Sequence, residues 1–164
     1  MFIEKEYKFE ITEEKRKELS DEDGVFISNV MYDNGSLEKE NSRLRLRKTP
    51  EKTLLTYKKP VKSEGNAKRE IEYEVEVIGD IVPILNKMGF FPTTSYEKYQ
   101  VSFNKYGSKI TIDKYPFTTI VEIEGGDMDR TAESMGLDPK DSTDKAIDTI
   151  HTERFGFLKH IKFN

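Results

Sequence analysis

The chain has 164 residues, of which 35% are hydrophobic, 35% charged and 11% aromatic, with a net charge of −4 and no cysteine. This composition suits one folded domain spanning 1–164 and excludes a disordered chain, a disulfide scaffold and a cysteine zinc site. The acidic balance argues against a general nucleic-acid coat, so no DNA partner is expected, although a local basic site stays compatible with it.

Most of the chain alternates with period two, the signature of half-buried strands. The opening stretch IEKEYKFEI sets Glu4, Glu6 and Lys8 against Ile3, Tyr7, Phe9 and Ile11. TEEKRKEL (12–19) follows as a short helix, with Thr12 as cap and acids in the first turn. Strands are expected at 25–33, 42–48 and 53–59, then a loop at 61–66 and a long strand at 67–77. A helix at 80–90 ends at Gly89, with Pro83 in its first turn. Strands at 95–106, 109–115 and 118–126 precede two closing helices at 129–137 and 142–156, the last with Ser142 as N-cap and Gly156 as stop. These elements spell an α+β fold built on an antiparallel sheet or barrel.

The charged faces are unusual in being nearly pure in sign. Arg43, Arg45 and Arg47 share one strand face, Glu70, Glu72 and Glu74 another, and Glu122 and Glu124 a third. Like charges on one face repel unless counter-charges or a ligand stand opposite them. A closed barrel with its charged faces turned inward provides both. Arginine and lysine would grip phosphate oxygens, and the pairs Glu4/Glu6 and Glu122/Glu124 would form two halves of a clamp for a hard divalent ion, Mg²⁺ or Mn²⁺.

Taken in order, EKEYK, RLRLR, LLTYKKP, REIEYEVEV, EKY (97–99), ITIDKYPF and IVEIEG resemble the strands of the CYTH superfamily, the triphosphate tunnel metalloenzymes. The resemblance implies an eight-stranded antiparallel tunnel with flanking helices and divalent-metal-dependent chemistry on a triphosphate-containing small molecule. By position it implies metal carboxylates at Glu4, Glu6, Glu122 and Glu124. It implies a phosphate grip by Lys8, Arg43, Arg45, Lys58 and Lys98. Lys8, Glu70, Glu72 and Asp113 are the candidate catalytic residues, the three acids for a second metal or for orienting water. The function implied is hydrolysis of inorganic, thiamine or nucleoside triphosphate. The alternatives are class IV cyclisation of ATP, or binding of a polyphosphorylated ligand without turnover. One departure is Gln100, where the family often has arginine. Either Lys145 or Arg154 would be the C-terminal basic residue.

Arg47 and Glu76 read as rim residues, His151 and His160 as surface. Tyr7, Phe9, Tyr73 and Tyr99 read as core beneath helices, whereas Tyr32 reads equally as lumen or core. No N-terminal segment pairs a basic start with an apolar stretch, and no apolar run approaches the roughly 20 residues a membrane span needs, so a cytoplasmic monomer or homodimer off the membrane is expected.

Overall fold

The computed structural model describes residues 3–62 and 67–164. Part of the loop expected at 61–66 therefore lies outside the described residues. Among the described residues nine strands occur: β1 (Ile3–Ile11), β2 (Val25–Asp33), β3 (Arg43–Lys48), β4 (Thr53–Pro60), β5 (Lys68–Val77), β6 (Phe91–Lys105), β7 (Ser108–Lys114), β8 (Thr119–Glu124) and β9 (His160–Ile161). The helices are α1 (Glu13–Leu19), α2 (Val82–Lys87), α3 (Met128–Ser134) and α4 (Ile147–Phe155).

The strands run β2-β3-β4-β5-β1-β8-β7-β6, and β2 pairs back onto β6 to close an eight-stranded antiparallel barrel. Closure pairs the two end strands of the sheet with each other, and the short β9 adds in parallel to β6 at Ser95 and Tyr96. The alternation read from the sequence then divides the residues between the inside and the outside of the barrel. Phe9, Ile110, Ile112, Val121 and Ile123 pack outward against Met128, Ala132 and Met135 on and just after α3. Tyr32 and Leu46 pack against Leu85 of α2, which places Tyr32 in the core.

Local chemistry explains the helix ends. Thr12 Oγ1 accepts from the Lys15 amide at 3.2 Å and caps α1 as expected. Asp127 caps α3 through the Arg130 amide at 3.1 Å. Just before it, Gly126 has φ +58°, and a Cβ there would lie 2.3 Å from the Gly107 backbone. Only glycine lets the β6–β7 turn approach so closely.

Several expectations need correction. β6 begins at Phe91 rather than at 95 because residues 91–95 find partners along β2. The last helix starts at Ile147, five residues late, because Ser142 Oγ instead accepts from the Lys8 amide at 3.0 Å and Thr143 N donates to the Lys8 carbonyl at 2.9 Å. The C-terminal segment is thereby tied to β1 before helix can begin, while Gly156 does end α4. Tyr73 and Tyr99 are 55% and 37% exposed rather than core, Tyr73 stacking on Tyr57 and Tyr99 meeting Phe26 and Phe163 edge-on. His151 is buried, edge-on to Phe117 at 4.8 Å.

Candidate active site: the charged lumen

The barrel encloses a cavity of about 170 Å³ lined by eight cations and eight acids. All but Asp148 come from the inward position of a pleat, because residues i and i+2 of a strand face the same way. The cations are Lys8, Arg43, Arg45, Arg47, Lys58, Lys68, Lys98 and Lys109. The acids are Glu4, Glu6, Glu70, Glu72, Glu74, Glu122, Glu124 and Asp148. The metal and phosphate candidates read from the sequence therefore share one chamber. Asp113 does not reach the cavity wall.

Register decides which charges meet. On β1 and β8, Glu6 stands opposite Glu124 and Lys8 opposite Glu122. Lys8 Nζ lies 3.4 Å from Glu122 and 3.8 Å from Glu6. Burial opposes the charge on Glu122, but Lys8, Lys98, Lys58 and Lys68 outweigh it and hold this carboxyl far below its ordinary range. Glu6 moves the other way, raised by its own burial and then by the charge of Glu122. Burial also pushes Glu4 up to about 8, although Lys58 donates to it at 2.9 Å.

Across the lumen, Glu70 is the hub of the cation wall. Lys68 Nζ is 2.9 Å from Glu70 Oε1, Arg43 donates to the same oxygen, and Lys58 Nζ is 3.6 Å from Oε2. Burial works against ionisation of Glu70, yet Arg43, Lys68 and Lys58 bring its pKa down to about 2. Glu72 pairs with Lys58 at 2.5 Å, and Glu74 accepts from Thr56 at 2.8 Å. Asp113 is fully buried behind the wall, where Lys98 donates to it at 2.6 Å and Gln100 at 2.7 Å. Gln100 thus serves Asp113, and an arginine there would add a second cation to the same acid. In the wall itself, Arg45 Nε and Thr111 Oγ1 are buried without a hydrogen-bond partner.

Some of this was not legible beforehand. Arg47 lines the lumen, held by Asn29 Oδ1 at 3.1 Å, and is no rim residue. Lys68 precedes the glutamates of β5 by one pleat, and its meeting with Glu6 across the β1–β5 register was the missing signal. Asp148 comes from α4, whose Ile147 and Ile150 also reach the cavity. Neither C-terminal basic candidate does: Lys145 pairs with Glu153 at 2.7 Å and Arg154 with Glu10 at 2.5 Å, both on the surface.

The carboxylates fit a hard divalent cation by donor chemistry. Glu6, Glu122 and Glu124 occupy adjacent pleats of paired strands and offer only oxygen. The crowding of Glu6 by Glu122 is the deficit of positive charge that such an ion would relieve. Among the described residues no three acids yet converge on one point, because lysines occupy the intervening positions.

A second chamber of about 740 Å³ adjoins the lumen and shares Arg43, Lys68 and Asp148 with it.

The CYTH domain model matches residues 3–138, and the chain belongs to this family. No curated protein matches it significantly in sequence. Among solved structures, a conserved hypothetical protein from Pyrococcus furiosus is 20% identical with a TM-score of 0.70, covering 88% of this chain and 97% of that one. A Vibrio parahaemolyticus protein assigned provisionally as an adenylate cyclase is 18% identical, with a TM-score of 0.73 over 92% and 98%. A Hippeastrum adenylyl cyclase candidate, described as revealing a dominant triphosphatase activity, is 17% identical, with a TM-score of 0.65 over 94% and 97%. These identities establish a shared fold, and function has to be argued from the lumen.

Proposed function

We propose that the protein hydrolyses a triphosphate-containing substrate with Mg²⁺ or Mn²⁺. One observation carries this reading: eight cations converge on a lumen whose β1–β8 wall sets Glu6, Glu122 and Glu124 side by side. Arg45 and Arg47 supply guanidinium forks that match phosphate oxygens, and Lys8, Lys58 and Lys98 supply point charges. The unpartnered Arg45 Nε and Thr111 Oγ1 offer further hydrogen bonds to a bound anion. When bound, the divalent ion, held by Glu6, Glu122 and Glu124 with Glu4 beside them, would polarise the phosphates. The cations hold the phosphate chain extended for in-line attack by water and neutralise the charge that builds on the transferring group, and this electrostatic part supplies most of the acceleration. Glu70 and Asp113 are already committed to cations, so we assign them to positioning the grip. Glu72, paired with Lys58 beside Glu4, is the acid left to orient water.

The test is phosphate release from tripolyphosphate with Mg²⁺ and with Mn²⁺, resolved by ion chromatography. Wild type should turn over, and Glu122→Gln should lose about 100-fold or more, an effect of the size seen when one transition-state electrostatic contact is removed. No release by wild type under either metal sinks the hydrolase reading. The second chamber favours one competing reading, cyclisation of ATP, since it has room for a nucleoside beside the tunnel. Cyclic AMP and pyrophosphate appearing from ATP, without phosphate, would establish that reading instead.

A further inference from the structure

Lys68 was not among the charged sets read from the sequence, and its setting singles it out. It is 7% exposed, yet its side chain lies on the wall of both chambers. Among the described residues its ammonium has two acidic neighbours, Glu70 at 2.9 Å and Glu6 at 3.7 Å. Glu70 is shared three ways, with Arg43 on the same oxygen and Lys58 at the other. Lys58 has two further carboxylates, Glu4 and Glu72, and Glu6 is itself shared with Lys8. Among the described residues Arg43 and Lys68 thus have no acid to themselves, and they stand together where the tunnel opens into the larger chamber. A buried cation that shares its counter-ion pays a desolvation cost its partner only partly returns. An anion placed between Arg43 and Lys68 removes that deficit with charge-assisted hydrogen bonds from both.

We propose that Lys68 is a phosphate-binding residue that works with Arg43 at the junction of the two chambers, gripping the end of the phosphate chain that faces the larger chamber. This rests on the triphosphate reading above. It places the substituent of an esterified triphosphate in the second chamber and the free phosphates in the lumen. Lysine is suited to this position because its flexible stem lets it leave Glu6 and swing to a phosphate, while Arg43 holds Glu70 through one guanidinium nitrogen and has its others for the phosphate.

Isothermal titration with tripolyphosphate in EDTA isolates the grip from any metal. Wild type should bind, Lys68→Met should bind at least about 10-fold more weakly, and Lys68→Arg should stay within a few-fold of wild type. Thermal melting of each variant establishes that it is folded. Should Lys68→Met fail to fold, Lys68→Gln replaces it, keeping a hydrogen bond to Glu70 without the charge, and the same loss is expected. Unchanged affinity in a folded, uncharged variant overturns the proposal and leaves Lys68 as a counter-ion of Glu70. If wild type does not bind tripolyphosphate in EDTA yet releases phosphate from it with Mg²⁺ or Mn²⁺, the metal-free grip proposed here is overturned and the triphosphate reading stands; if it neither binds nor turns over, both fall.

Discussion

On β6 and β7, Lys98 meets Asp113 at 2.6 Å, the acid is fully buried, and Gln100 fills its other oxygen. Across the barrel on β5, Glu70 meets Arg43, Lys58 and Lys68 together. Both clusters are made from the same parts: an inward acid on one strand and inward cations on its neighbours. Around Asp113 one charge meets one charge behind the cavity wall, and the result is a closed lock that fixes the ammonium of Lys98. Around Glu70 three cations share one acid at the wall, and two of them reach further carboxylates in the lumen, Lys58 to Glu4 and Glu72 and Lys68 to Glu6. The sharing of charges, rather than the residue types, separates a lumen cation held in place by an acid of its own from cations that divide one acid among them.

The largest expected effect tests the lock. Asp113→Ala strands the Lys98 charge and should lower stability by about 3–5 kcal/mol in urea denaturation. The double variant Lys98→Met with Asp113→Leu should recover most of that loss, since apolar replacement of a closed buried pair is often neutral. A cost of Asp113→Ala under about 1 kcal/mol would erase the contrast between the clusters.

The next test uses pH on the Glu70 hub. Its folded pKa is about 2 against an ordinary 4.5, so its contribution is complete above 4.5 and is lost as pH falls from 4.5 through 2. Glu70→Gln should therefore be less stable than wild type by on the order of 2–3 kcal/mol at pH 6, with the gap closing as pH approaches 3. A gap that stays constant with pH would mean that Glu70 stabilises by packing alone.

The smallest effect lies outside both clusters. Arg154 pairs with Glu10 on the surface, and its side chain is 44% exposed. Arg154→Ala should cost less than about 1 kcal/mol, and less still at high salt, with unchanged phosphate release. A large loss of activity would return Arg154 to the site.

The sequence by itself determined the strands, their facing and the chemistry of the lumen. Period-two alternation with charged faces, several of them pure in sign, is a local property, and turning those faces inward together reconciles their repulsion. That is why Arg43, Arg45, Lys58, Glu122 and their partners were legible from residue order alone. The tertiary structure decided who pairs with whom. Cross-strand register set Lys68 against Glu6 and Lys8 against Glu122, and placed Asp113 behind Lys98 where no ligand reaches it. Barrel closure through β2 and β6 turned Arg47 from an expected rim residue into lumen. The tether of residues 142 and 143 to Lys8 delayed α4 and brought Ile147, Asp148 and Ile150 to the tunnel. Each of these depends on contacts between residues distant in the chain, and periodicity along one strand carries no information about its neighbour's register.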